Sequence, residues 1–305
     1  MKRTTYFLGF LLVACSGPSR SPIPVLDTTS MALADGDAAP PPGSSEEAAR
    51  EPFRGGGDDL AYVVSSTAQF GVVNPETGDF RLLGNMPSVL SGLALGPKKV
   101  IYGLDADNNL VSVDPNGTNT VVGKTGLPVQ ADGNVTLITS LGEGRLFAVD
   151  PNNDLYSINR ANGLATKVGS TGISVPDFNN CVTGNGLAGA EGHLYFTFEV
   201  DDNNPNSCAT TAPSALYRIN PHSGEATRVG PTGADAPIVG LGFIDDTLYG
   251  FTFGMPVNQR NKILAIDLET GKATFVNNQA ADLDPVFGAI RAPRPRHHSR
   301  GQRED

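Results

Sequence analysis

One pattern recurs five times from residue 60 onward, and it restricts what the chain can fold into more than any other feature. The copies are FGVVNPETGDFRLLG (70–84), LVSVDPNGTNTVVG (110–123), LYSINRANGLATKVG (155–169), LYRINPHSGEATRVG (216–230) and ILAIDLETGKATFV (263–276). Their shared form is apolar-x-x-[IV]-[ND]-x-x-x-G-x-x-T-x-V. Apolar alternation on both sides of a Pro- and Gly-bearing turn predicts a β-hairpin. In Asn74-Pro75-Glu76-Thr77-Gly78, Pro supplies φ near −65° and Gly the positive φ, while the leading Asn or Asp side chain bonds back to the backbone to start the turn. Arg160 replaces Pro in the third copy, and Asn116-Gly117 shortens the turn in the second.

Another strand precedes each hairpin: LAYVV (60–64), VIYGL (100–104), RLFAV (145–149), HLYFTF (193–198) and TLYGFTF (247–253). Four of these are preceded by a further one: SGLAL (91–95), VTLITS (135–140), GLAGA (186–190) and VGLGF (239–243). A unit of four strands over some 45 residues is the signature of a propeller blade. The first unit lacks its leading strand, and Val286-Phe287-Gly288-Ala289-Ile290 supplies one at the other end of the pattern. The expected fold is therefore all-β: a five-bladed β-propeller of four-stranded antiparallel blades, closed by the C-terminal strand completing the first blade. Closure removes exposed sheet edges that invite association, and a monomer is expected. The repeats resemble the LYxIDxxTGxATxVG repeats of many secreted bacterial β-propeller proteins over residues 60 to 291. That resemblance implies the fold and is nearly silent on activity, because one architecture hosts many functions.

The N-terminus reads as an export signal. Lys2 and Arg3 precede an apolar run, Tyr6 to Ala14, too short to span a bilayer as a helix. The run ends in Leu12-Val13-Ala14-Cys15, which resembles the lipobox of bacterial lipoproteins. The resemblance implies a signal peptide over 1–14, cleavage before Cys15, and lipidation of that Cys as a membrane anchor. Each buried CH₂ of an acyl chain contributes about 0.8 kcal/mol, so several chains hold durably. Ser16 at the next position implies outer-membrane sorting where the organism has an outer membrane. The alternative is ordinary cleavage near Ala14 and a soluble secreted protein. Residues 15–58 are rich in Ser, Pro, Ala, Gly and Asp without apolar periodicity, and read as a disordered tether. The propeller then spans 59–292. The tail 293–305 is basic and Pro-rich, suited either to anionic envelope polymers and lipid head groups or simply to solubility. The net charge of −10 disfavours nucleic acid as a partner.

Three groups of residues carry candidate chemistry. Once Cys15 is assigned to lipidation, Cys181 and Cys208 remain. Their connections leave the sheets on the same face, and an extracytoplasmic compartment favours a disulfide; free or metal-binding thiols are the alternative. The second group is acidic loops: Asp105 and Asp107, Asp150 and Asp154, and Asp201 and Asp202. Spaced Asp and Asn oxygens suit calcium, a hard cation, and equally serve as ordinary turn formers. The third group is Asp132, Asp235 and Asp284, each a few residues ahead of an inner strand. Carboxylates converging at the channel mouth would permit glycosidase-like acid and base work. Against it stand the absence of Trp, which removes the best sugar platform, and the regularity of the repeats. No G-x-S-x-G elbow, P-loop or Cys–His pairing is present. The leading functional reading is a non-catalytic binding or scaffold module for an envelope protein or glycan; the alternative is a hydrolase. If Cys181 and Cys208 are bridged, the intact mass of the unreduced protein lies below that of the reduced protein by two hydrogens. Identical masses exclude the bridge.

Overall fold

The computed structural model describes residues 60–128, 136–142, 144–173, 185–199, 214–253 and 261–292, all within one compact unit. Among the described residues twenty strands form five four-stranded antiparallel sheets. The first blade holds β1 (Ala61–Ser65), β2 (Gln69–Val73) and β3 (Phe80–Asn85), and the second holds β4 (Ala94–Leu95), β5 (Ile101–Leu104), β6 (Asn109–Val113) and β7 (Asn119–Lys124). The third comprises β8 (Leu137–Leu141), β9 (Arg145–Val149), β10 (Asp154–Ile158) and β11 (Ala165–Ser170). The fourth comprises β12 (Gly186–Ala190), β13 (His193–Glu199), β14 (Ser214–Ile219) and β15 (Ala226–Pro231). The fifth comprises β16 (Ile238–Ile244), β17 (Thr247–Thr252), β18 (Lys262–Ile266) and β19 (Ala273–Asn278). The last strand, β20 (Val286–Arg291), pairs antiparallel with β1 from Ala61↔Arg291 to Ser65↔Val286, so the first sheet runs β20-β1-β2-β3. The fold is the five-bladed propeller that the repeat count implies, with its ring closed by the C-terminal strand.

The inner strands of successive blades touch backbone to backbone. A Cβ on Gly288 of β20 would lie 2.6 Å from Gly92 Cα, and one on Gly92 would lie 2.8 Å from the Ile138 carbonyl oxygen. Gly189 is tighter still against the Ser140 backbone, a Cβ on Gly186 would meet Leu241 Cγ at 2.7 Å beside the Gly240 backbone, and Gly240 lies tight against Val286, which completes the circle. Real Cβ atoms are not found that close to a neighbour, so only glycine fits these positions. The expected strand 91–95 contracts to Ala94–Leu95. Ser91 still bonds Leu104 of β5, but Gly92 is pressed between Ile138 and Gly288 and leaves the regular ladder.

The apolar core lies between blades rather than within them. Five clusters fill the five gaps. One joins Leu141, Phe147 and Leu155 of the third blade to Leu194, Phe196 and Ile219 of the fourth. Another joins Val63 and Val286 of the first to Phe251 and Ile263 of the fifth.

The final T-x-V-G of the repeat is a structural device. Pairing passes from Phe70↔Gly84 to Gly71↔Leu82, which leaves Leu83 in a β-bulge. Val122, Val168, Val229 and Val276 are skipped in the same way in the other four blades. A bulge re-aims a side chain, and all five bulged residues pack into the cluster shared with the following blade. The glycine after the bulge then lies against the next blade's hairpin: Gly84 on Asn116, Gly123 on Asn162, Gly169 on Ser223 and Gly230 on Thr270. In the fifth blade Asn277 takes the glycine's place, and its Nδ2 donates to the Glu76 carbonyl at 2.9 Å in the first hairpin.

Placing a methyl group at an inner contact overpacks two backbones. Gly240→Ala should lower the unfolding free energy by about 1–3 kcal/mol, read by thermal melting as roughly 2–4 °C per kcal/mol in a domain of this size. Gly250→Ala is the comparison. Its Cβ meets only the ends of the Ile266 and Ile238 side chains, at 3.0 and 3.1 Å, and the loss there should be smaller.

Candidate functional site

Each blade has two kinds of connection on one side of the ring: the loop from its second to its third strand, and the outgoing segment from its fourth strand to the next blade. Antiparallel order places both at the same strand ends. The long connections are all of these two kinds: 125–136, 171–185, 200–213 and 253–261. On the opposite side, first-to-second-strand turns such as 191–192 and 245–246 are short.

The acidic loops are built as turns. Asp105 Oδ1 accepts hydrogen bonds from the backbone N–H of Asp107 at 3.0 Å and of Asn109 at 2.8 Å, and its Oδ2 accepts from Asn109 Nδ2 at 2.9 Å. Asp150, which is buried, repeats the arrangement. Its Oδ1 accepts from Asn152 N at 3.0 Å and Asp154 N at 2.9 Å, and its Oδ2 takes the Tyr156 hydroxyl at 3.3 Å. Burial, then the nearby charges of Asp150 and Asp154, push the Tyr156 hydroxyl up to about 12. Asp154 itself pairs with Lys167 at 2.5 Å. Asp107 is exposed and contributes only its backbone N–H to the turn. The turns end in Asn108 at φ 56° and Asn153 at φ 58°, a region Asn tolerates better than most residues.

These asparagines lock the loop to the outgoing segment. Asn108 Nδ2 donates to the Pro128 carbonyl at 2.7 Å, and Thr125 Oγ1 donates to the Asn108 carbonyl at 2.5 Å. Thr171 N donates to the Asn153 carbonyl at 3.0 Å, and Thr232 Oγ1 to the Ser214 carbonyl at 2.7 Å. The Thr-Gly that follows three of the repeats, at 125–126, 171–172 and 232–233, is the sequence signal for this lock. Repeat reading that stops at the Val-Gly pair misses it.

Two of the three channel-mouth carboxylates lie among the described residues, and each is tied to its own blade. Asp284 Oδ2 accepts from Thr67 Oγ1 at 2.6 Å, while its backbone N–H donates to Gln69 Oε1 at 3.0 Å. Asp235 forms a 2.5 Å ion pair with Lys262. The Lys262 ammonium holds the Asp235 carboxyl below its usual range, so the group stays ionised where a general acid needs a raised value. Among the described residues no three His, Cys, Asp or Glu side chains form a group that could hold a metal ion. Cys15, Asp132, Cys181, Asp201, Asp202 and Cys208 lie outside the described residues.

The fold and site together define a five-bladed propeller with an internally braced loop face. No family model matches the chain, and no curated protein matches it. Among solved structures it is similar to a protein of unknown function from Bacteroides thetaiotaomicron, at 12% identity and a TM-score of 0.43, with 63% of this chain and 52% of that one covered. It is also similar to TolB from Acinetobacter baumannii, at 13% identity and a TM-score of 0.42, with 75% of this chain and 55% of that one covered. The chain thus spans about half the length of each of these structures.

Removing the buried Asp150 carboxylate breaks two half-buried hydrogen bonds and leaves the backbone N–H groups of Asn152 and Asp154 without their acceptor. Asp150→Ala should cost about 1–3 kcal/mol, whereas Asp107→Ala should leave the melting temperature within experimental scatter. Equal effects of the two substitutions would contradict the turn role assigned to Asp150.

Proposed function

We propose that this protein is a non-catalytic binding or scaffold module held at the bacterial cell envelope. A lipid on Cys15 anchors it, residues 16–58 tether it, and the propeller offers its loop face to an envelope protein or glycan. The observation that carries this reading is the concentration of long connections on one face of a ring whose other face has short turns. The locking of those connections supports it. Asp105, Asp150, Asp235 and Asp284 are each engaged in holding a loop or strand in place. Connections tied at their described roots have less freedom to lose on binding. A Cys181–Cys208 disulfide joins two of the same connections and stiffens them further.

The test uses full-length protein in a bacterial host that processes lipoproteins. The wild type should fractionate with membranes and incorporate a labelled fatty acid, while Cys15→Ser should do neither. Photo-crosslinkers placed at Asp107, on the loop face, and at Asp246, on the opposite face, then report the binding surface. Adducts with envelope protein or glycan should form from position 107 and not from 246. Equal labelling from both positions removes the loop face as the binding surface, and membrane association that survives Cys15→Ser removes the lipid anchor.

A further inference from the structure

Three Asn-Gly pairs occur in the chain, at 116–117, 162–163 and 185–186. Asn-Gly is the dipeptide most prone to spontaneous deamidation, because glycine leaves its own N–H unhindered. In that reaction the glycine nitrogen attacks Asn Cγ. A new N–Cγ bond forms, the Cγ–Nδ2 bond breaks, and the amide nitrogen leaves as ammonia with the proton from the glycine N–H. Water then opens the cyclic imide to aspartate or to isoaspartate, which carries one extra atom in the main chain.

The first two pairs occupy the hairpins gripped by the preceding blade. In both, the attacking N–H and the Asn side chain are each engaged in a hydrogen bond. Gly117 N–H donates to the Asp114 carbonyl at 2.9 Å, and Gly163 N–H donates to the Asn159 carbonyl at 2.7 Å. The Asn side-chain oxygens are engaged one residue further on: Asn116 Oδ1 accepts from Thr118 N and Asn162 Oδ1 from Leu164 N, each at 3.1 Å. Gly117 and Gly163 sit at φ +84° and +81°, so each turn reacts only after leaving this conformation. The preceding blade blocks that movement. Gly84 lies directly on the Asn116 carbonyl, and Gly123 on that of Asn162. A Cβ on Gly163 would in turn lie 2.6 Å from the Gly123 carbonyl oxygen. The third pair is held differently, within the ring: Gly186 N–H donates to the buried Thr197 Oγ1 at 3.0 Å.

We infer that Asn116 and Asn162 are deamidation sites, each gated by the blade before it, so that their conversion to isoaspartate records the opening of the first-to-second and second-to-third blade junctions separately. Isoaspartate then keeps the junction open, because the lengthened main chain no longer fits against Gly84 or Gly123.

The experiment incubates full-length protein at mildly alkaline pH and follows isoaspartate at the three sites by peptide mapping. Gly84→Ala should accelerate conversion at Asn116 severalfold and leave Asn162 at the wild-type rate. Gly123→Ala should do the reverse. Asn185, outside both junctions, is the control for global unfolding and should change far less than the gated site in each variant. If either variant raises all three sites together, opening is global and the gating is overturned. If neither variant changes the rate at its own partner, the preceding blade does not control the turn and the inference also fails.

Discussion

Closing five sheets into a ring forces the innermost backbones against one another, and the rest of the molecule follows from that contact. With so few blades the inner strands have no room for side chains on the flank where they meet. Glycine stands at the contact in four of the five inner segments: Gly92, Gly186 with Gly189, Gly240 and Gly288. The exception explains itself. The inner strand of the third blade, Leu137–Leu141, carries no glycine because both neighbours supply one, Gly92 to Ile138 and Gly189 to Ser140. Contact at the centre fixes the spacing between blades and leaves wedge-shaped gaps outside it. Those gaps hold the core, which is why Phe196, Phe251 and Phe70, among the largest fully buried side chains, all serve inter-blade clusters.

Most of this architecture is legible in the sequence because a propeller repeats its physics. Blade number, strand order and closure by Val286–Ile290 follow from counting alternations and turns. The turn chemistry is legible as well: Asn74 Oδ1 accepts from Glu76 N, Asn159 Oδ1 from Ala161 N and Asn220 Oδ1 from His222 N, each at 2.9 Å. The bulge is harder to see, because a skipped residue breaks the period of two on which strand reading depends. Val168 and its four counterparts read as strand residues on the wrong face until the register is known. The candidate carboxylates are harder still. An Asp that receives two backbone N–H groups has the same local sequence as one that does not, and only the distances around Asp105 and Asp150 reveal the turn role.

The loop face combines two requirements that usually conflict. Long connections carry recognition because they vary without disturbing the sheets, yet long connections also lose order. Here the described parts of both connection types are tied at their roots, through Asn108 to Pro128, Thr171 to Asn153, Thr232 to Ser214 and Asp284 to Thr67. Under the proposed binding role, a surface made this way can differ from blade to blade while the ring beneath it stays the same.

The junction between the fifth and first blades shows how far the outer contact depends on chemistry rather than on one residue type. Four junctions press a glycine onto the next hairpin, a contact that works by the absence of a side chain. At the fifth, Asn277 donates to the Glu76 carbonyl and its Oδ1 accepts from Asn278 N at 2.8 Å, so a side chain bridges the distance instead. Gly78 still meets the Asn278 backbone there, so the approach is no looser. This junction joins the two blades farthest apart in sequence, one of them completed by β20. Its inner contact, Gly240 on Val286, is made by that same closing strand. The first and last strands of the repeat array are thus joined by one element. No blade owns a core of its own, so the five sheets gain their stability together once that element is in place.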